Sequence, residues 1–174
     1  GPTATTTTAV AAWKSKITKT FVNAMSPQMR EALARSQCWK TYGANKSLAQ
    51  VIATAKEMQT IGTLIGQTNR PLLFACLLFR LLQLQPTHAE VSEGLVKQEN
   101  SKYARVLGLV MIRLLGNATS VKLHVAAIGQ EDFRKIRIVD EGGEQSLTTV
   151  DAIADTLLEE QVFMGITLPL LLLH

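Results

Sequence analysis

RPLLFACLLFRLLQLQP, from Arg70 to Pro86, and SKYARVLGLVMIRLLG, from Ser101 to Gly116, decide the fold class. In the first stretch Arg70-Pro71 is expected to open a helix that runs through Leu84, and Gln85-Pro86 to close it. In the second, Ser101 is placed to cap a helix over Lys102–Leu115, and Gly116-Asn117 to end it in the usual C-terminal manner. Val106 to Ile112 is apolar nearly all the way round, the mark of a helix with no solvent face. Two such segments side by side predict a helical core.

The flanks extend this pattern. Val10, Trp13, Ile17 and Phe21 recur at helical spacing and predict a helix over Thr8–Met25, with Lys14, Lys16 and Lys19 elsewhere on the wheel. Ser26-Pro27 is a cap followed by a first-turn proline, so a second helix is expected to about Gln37. Cys38–Lys46 reads as a turn, and Ser47 caps a helix to about Met58. Gly62–Asn69 reads as a loop, and Thr87 caps a short helix to about Gln98. Ala118–Ile128 continues the helical pattern.

At Phe133 the period changes from helical to two. Phe133, Lys135 and Arg137 alternate with Arg134, Ile136 and Ile138, a turn follows over Asp140–Glu144 with Gly142-Gly143, and Gln145–Thr149 can return. One β-hairpin is therefore expected near residues 133–149. A helix from Thr149 or Val150 to about Glu160 and a last one over Gln161–Leu172 complete the expectation. The fold class is mainly α: a multi-helix domain over residues 9–174 with one small hairpin. Residues 1–8 are set apart, because Gly1-Pro2 reads as the scar of a cleaved tag and Thr3–Thr8 as a flexible lead-in.

Composition supports a packed domain. Of 174 residues, 47% are hydrophobic but only 5% aromatic, so Leu, Ala, Val and Ile must fill the core. Lys and Arg outnumber Asp and Glu 18 to 14, a net charge of +4 that does not by itself imply nucleic acid. The charge is uneven along the chain. Residues 1–50 carry seven bases and one acid, whereas beyond Arg137 there is no Lys or Arg and Asp140, Glu141, Glu144, Asp151, Asp155, Glu159 and Glu160 all occur. Glu141, Glu144, Asp151 and Asp155 are the candidates for an acidic surface that meets a basic partner. No run reaches the roughly 18–20 apolar residues of a membrane helix.

Motifs for chemistry are absent. His88-Ala89-Glu90 matches the H-x-E of zinc deaminases, but no P-C-x-x-C completes it, so His88 and Glu90 read as surface residues of a first helical turn. His124 and His174 have no partner at metal-ligand spacing. Cys38 and Cys76 belong to no CxxC pair and read as reduced, structural thiols in an intracellular protein. No glycine-rich phosphate cradle is present, and Gly62–Gly66 is a GxxxG read as loop or close packing. The expectation is a binding module with no catalytic residue, metal or cofactor. Arg134, Lys135 and Arg137 could present cations on the hairpin. Arg105 and Arg113, eight residues apart in an apolar helix, project about 80° from one another; each needs a partner, either an internal carboxylate or carbonyl, or a chain docking in a groove.

These residues also carry a resemblance. Arg70–Pro86 resembles a "KPTPFLCLLLKLLQIQP"-like signature, and Gln98–Gly116 resembles its "NEDFKYVRALGAFYLRLTG"-like companion, both of the pre-mRNA-splicing factor 38 (Prp38) family. Trp39-Lys40 is similar to an earlier Tyr-Trp-Lys, Asp132–Ile136 to "DYRKI", Val150-Asp151 to part of "HVDEFIDELL", and Leu168-Pro169 to a terminal "LPRL". Departures are Leu73 for a second proline, Ser101 for an aromatic, leucines after Leu168-Pro169, and no Arg- and Ser-rich tail. The resemblance covers about residues 20–170. It implies a nuclear, non-enzymatic scaffold of the spliceosome that accompanies the tri-snRNP around activation. It further implies partners among splicing proteins, a microfibrillar-associated-protein-type factor and a small zinc-finger splicing protein. Direct RNA binding through the Lys14–Lys19 helix and the hairpin is the alternative from the residues themselves.

Overall fold

The computed structural model describes residues 24–171. The expected helix over Thr8–Met25, with its lysines, therefore lies almost wholly outside the described residues. Helix α1 (Pro27–Arg35) starts as its sequence predicts, with Pro27 in the first turn and the Ser26 hydroxyl accepting from Met29 N at 3.1 Å. Cys38–Lys46 is more ordered than a loop. Trp39–Gly43 forms one wide π-helical turn, which sets the Trp39 ring 4.9 Å from that of Phe79. Helix α2 (Leu48–Lys56) carries a reciprocal capping box between Ser47 and Gln50.

Strands β1 (Leu64–Ile65) and β2 (Arg70–Pro71) pair antiparallel, so Arg70-Pro71 does not open a helix as expected. Leu72 remains extended and its N–H donates to Thr63 O at 2.8 Å, and helix α3 (Leu73–Leu84) begins one residue later. Pro86 disfavours right-handed helix at Gln85, which turns left-handed at φ 51 and ends α3. Helix α4 (His88–Val91) begins with a Thr87–Glu90 capping box and runs into a π-helical turn over Ser92–Val96.

Helix α5 (Lys102–Leu115) is the centre of the molecule, buried without interruption from Ala104 to Leu115. Each such Leu, Ile or Val contributes roughly 1.5–3 kcal/mol through lost apolar exposure. Gly108 allows a close approach to the turn over Ser92–Val96, because a Cβ there would lie 2.8 Å from the Val96 backbone N and from Leu95 Cβ. Two end signals act differently from expectation. Ser101 makes no side-chain cap, and Gly116 is not left-handed, at φ −78. Gly116 is needed because a Cβ would meet Ile112 O at 2.7 Å. Asn117 begins the next helix instead, accepting from Ser120 N at 2.9 Å. That run comprises α6 (Ala118–Val121), a π-helical turn (Lys122–Ala126) and α7 (Ala127–Glu131).

The expected hairpin is present, formed by β3 (Lys135–Val139) and β4 (Gln145–Thr149) with Arg137 opposite Leu147. Asp140 shapes its turn, one carboxylate oxygen accepting from Gly142 N and Glu144 N, both at 2.9 Å. Helix α8 (Val150–Glu159) follows with Thr149 as its cap. The expected final helix is not formed. Strands β5 (Val162–Phe163) and β6 (Ile166–Thr167) pair around Met164 and Gly165, at φ 49 and 80. Two consecutive left-handed residues suit a two-residue hairpin and no helix. Phe163, Ile166 and Leu168 then turn inward, and the Thr63 hydroxyl donates to Met164 O at 2.6 Å.

One buried carboxylate links the centre to the hairpin. The Asp132 side chain, 4% exposed, places Oδ2 3.0 Å from Arg105 Nη1 of α5 and 2.6 Å from Arg134 Nη2. Its Oδ1 accepts from Arg134 Nε at 2.9 Å. Arg105 Nε donates to Val96 O at 2.9 Å, and Arg134 Nη1 donates to Glu99 O. Arg113 is also held inside, its Nε donating to Leu157 O of α8 at 2.6 Å.

Two stability predictions follow from this packing. The Arg134 guanidinium first, then its backbone N–H and Arg105, hold the Asp132 carboxyl down at about 2, from an ordinary 3.8. A depressed folded value stabilises above the unfolded pKa and the effect is lost as pH falls through the folded one, a swing of about 2 kcal/mol. In urea unfolding, the stability gap between the protein and Asp132→Asn should therefore narrow by that amount from about pH 5 to about pH 2; a gap independent of pH would contradict it. Gly108→Ala should cost about 1–3 kcal/mol by overpacking α5 against Leu95 and Val96, read as a lower urea midpoint.

Candidate protein-interaction surfaces

The nine charged residues singled out by the sequence divide into an internal and an external set. Arg105 and Arg113 are 7% and 3% exposed, and their guanidinium groups serve the internal carboxylate and carbonyl partners described above. Of the two readings open for them, the internal-partner one describes their contacts. Arg134 is half external, with a 41% exposed side chain whose charge is already met by Asp132. Lys135 and Arg137 are exposed and form no ion pair among the described residues.

Strand alternation explains why those two face out. Ile136 is fully buried, so its neighbours Lys135 and Arg137 point to the opposite side of β3. Leu147 stands opposite Arg137 and shares that face at 62% exposure, and Phe133, in phase just before β3, is 63% exposed. The result is an outer hairpin face of two cations between two exposed apolar side chains. The Tyr103 hydroxyl accepts from Arg137 N at 2.9 Å and holds the strand beside α5.

The acidic run does not form one surface. Glu141 and Glu144 occupy the hairpin tip, exposed, with Glu141 O accepting from Gly66 N at 2.7 Å. Asp151 and Asp155 lie beyond the hairpin base, where α8 begins, with the length of β4 intervening, five residues or about 16 Å. On α8, Asp155 and Glu159 lie about 40° and 80° round from Asp151, opposite the buried face of Val150, Ile153, Ala154 and Leu157. Glu159 thus joins the acidic edge, although its sequence position gave no reason to prefer it over Glu160. Asp151 is half-buried, and its Oδ1 takes no hydrogen bond among the described residues.

Beside this acidic edge is a cleft of about 240 Å³. Ile138 of β3, Ile153 of α8 and Phe163 of the last hairpin line it, with Val162 at the margin, 55% exposed. Reading Gln161–Leu172 as a helix hides this cleft, since β5 supplies one wall. Met164-Gly165 between alternating apolar residues was the available signal. A broader trough of about 640 Å³ lies between α1 and the turn before β2, bordered by Glu31, Arg35 and Arg70.

The described histidines and cysteines have structural partners. His88 is partly buried rather than on the surface, its Nε2 2.7 Å from Ser120 Oγ and its ring 5.2 Å from that of His124. Burial lowers the pKa of both, and the charges of His88 and Lys97 lower that of His124 further. The Glu90 carboxylate accepts from Thr87 N, so it serves as a cap. The hydrogen bond to Cys38 and burial push the Cys76 thiol up, which keeps it protonated. Among the described residues no group of three or more His, Cys, Asp or Glu could hold a metal ion, and no helix is long and apolar enough to cross a membrane.

Comparison with known proteins places this geometry in a family. The PRP38 family profile matches residues 16–173. Pre-mRNA-splicing factor 38A of Xenopus tropicalis is 32% identical over 141 residues, which are 81% of this chain and 45% of that protein, and the Homo sapiens protein gives the same figures. Pre-mRNA-splicing factor 38 of Arabidopsis thaliana is 29% identical over 147 residues, 84% of this chain and 41% of that protein. The chain thus spans less than half the length of these relatives. Among solved structures, a chain in the crystal structure of the Snu23-Prp38-MFAP1 complex of Chaetomium thermophilum matches with a TM-score of 0.80 at 30% identity, over 87% of this chain and 78% of that one. By profile, by relatives and by fold, the chain belongs to the PRP38 family.

Proposed function

We propose that this chain is a nuclear scaffold of pre-mRNA splicing that binds segments of other splicing proteins and supports spliceosome activation with the tri-snRNP. The observation that carries this reading is the solved relative, which shares the fold at a TM-score of 0.80 and is part of a complex with Snu23 and MFAP1. Partners of those two kinds, a small zinc-finger splicing protein and a microfibrillar-associated-protein-type factor, fit the surfaces here. The 240 Å³ cleft accepts an apolar side chain, and the acidic edge of Asp151, Asp155 and Glu159 orients a basic segment over it. The tip residues Glu141 and Glu144 and the cations Arg134, Lys135 and Arg137 supply further contacts of opposite sign. Arg105 and Arg113 act in this reading only by holding the hairpin and α8 in place.

The mechanism is association without chemistry. Apolar burial in the cleft supplies affinity, while charge fixes direction and accelerates encounter. Calorimetric titration of this chain with MFAP1 and Snu23 segments tests it. Binding of at least one is expected, and Asp155→Lys combined with Glu159→Lys should weaken a basic segment by about tenfold at low ionic strength. Binding of neither segment would refute the scaffold reading, and unchanged affinity after charge reversal would remove the acidic edge from it.

A second reading, direct RNA contact, draws on the exposed Phe133 beside Lys135 and Arg137, an aromatic among cations. It predicts that a labelled oligouridine binds with an affinity falling steeply as salt rises, by a log–log slope of about −0.7 per phosphate contact. No anisotropy change at low ionic strength would exclude it.

A further inference from the structure

The β3–β4 ladder leaves one edge open. Asp140 N donates to Glu144 O and Val150 N to Arg134 O, so Ile138/Ser146 and Ile136/Thr148 are the pairs that exchange backbone bonds. Arg137, Val139, Gln145 and Leu147 turn their backbone groups outward. On the β3 side those groups are engaged: Ile61 N donates to Arg137 O and Val139 N donates to Ile61 O, both at 2.9 Å, and Arg137 N donates to the Tyr103 hydroxyl. On the β4 side the outward groups of Gln145 and Leu147 make no hydrogen bond among the described residues.

This edge also lacks the usual guards. Exposed edge strands are ordinarily protected by lysine, proline or a bulge, because free N–H and C=O groups template pairing. Gln145-Ser-Leu-Thr-Thr149 has no charge and no proline, pairs in unbroken register, and exposes Leu147 at 62%. We infer that β4 is a docking edge that takes up an extended segment of a partner protein by strand addition.

The charge pattern selects the occupant. Lys135 lies opposite Thr149 and Arg137 opposite Leu147, so two cations that form no ion pair among the described residues stand one strand in from the edge on one face. A second copy pairing antiparallel through β4 would be related by a two-fold normal to the sheet, which puts both pairs of cations on the same face. At three strand spacings, about 14 Å, their mutual repulsion is screened, but a second copy of β4 carries no carboxylate to meet these cations, so self-pairing leaves them unsatisfied. A segment with a carboxylate at the Thr149 end and an aliphatic residue beside Leu147, two residues apart, meets both the charge and the exposed side chain. The glutamates at the tip, Glu141 and Glu144, disfavour a second carboxylate at the Gln145 end. The inference rests on the scaffold reading in taking the occupant from a partner, but it concerns a different surface from the cleft.

The test is an amide-resolved NMR titration of the whole chain with the blocked peptide Asp-Thr-Val-Thr-Val-Thr. Shifts and slowed amide exchange are expected at Gln145, Leu147 and Thr149, and the peptide with Lys for Asp should bind about fivefold more weakly. Leu147→Pro removes an outward N–H without touching the bonds to β3, and should weaken the peptide about tenfold. Leu147→Lys, which restores a guard and keeps the N–H, covers the case in which the proline variant fails to fold; it should weaken the peptide severalfold. Shifts confined to the cleft or trough, β4-mediated dimers in sedimentation, oligouridine in place of peptide at this edge, or no shifts at all would each overturn the inference. If MFAP1 or Snu23 segments bind while the peptide does not, strand addition alone is refuted and the scaffold reading stands.

Discussion

The Asp132 carboxylate, buried between Arg105 and Arg134, ties the central helix to the hairpin. Without it, a buried arginine in the first turns of an apolar helix would be a desolvated charge with no counter-charge, a large cost. With it, one ion joins three parts of the chain. Arg105 belongs to α5, its Nε reaches the end of the turn over Ser92–Val96, and Arg134 leads directly into β3. The central helix, the helical turn against which it packs and the hairpin that carries the outer face are thereby set in one arrangement. Buried pairs of this kind contribute less to net stability than to geometry, since desolvation takes back much of the Coulombic gain.

Burial of a charge requires a partner, and this divides the charges between inside and outside. Three of the four arginines of α5 and the hairpin region are consumed by internal partners, Arg105 and Arg134 by Asp132 and Arg113 by Leu157 O. Among the described residues of this region, the charges left outward are Lys135 and Arg137 on one face, acids at the tip, and acids along α8. Each of these lies on an element tied to α5 by buried contacts, so the surfaces stand on a rigid base. That is the physical requirement for a scaffold that captures flexible segments, because the ordering cost then falls mainly on the segment.

Much of the fold was legible because it follows from short-range rules. The all-round apolar run of α5 predicted its burial, Ser26-Pro27, Ser47 and Thr87 predicted helix starts, and the period-two pattern from Phe133 predicted the hairpin. The failures also have physical causes. Pro71 was compatible with both a first helical turn and an extended residue, and a two-residue pairing with Leu64–Ile65 decided for the latter. The apolar content of Gln161–Leu172 suggests a helix, while Met164-Gly165 supplies a tight turn that periodicity over so few residues does not reveal. The π-helical turns left no pattern to read. Of the candidate site, Lys135 and Arg137 emerged as exposed cations from alternation alone. The role of Arg105 needed Asp132, which is 27 residues distant and whose proximity only tertiary structure supplies. The unguarded edge of β4 is likewise a property of the ladder, not of any residue in it.

A double-mutant cycle measures whether the Asp132 ion pair couples α5 to the hairpin. Urea unfolding of the protein, Arg105→Met, Asp132→Leu and the double variant should show each single change costing about 3–5 kcal/mol and the double change far less than their sum, a coupling of about 2–3 kcal/mol. Additive losses, with no coupling beyond about 0.5 kcal/mol, would show that the two residues act independently and would contradict the account.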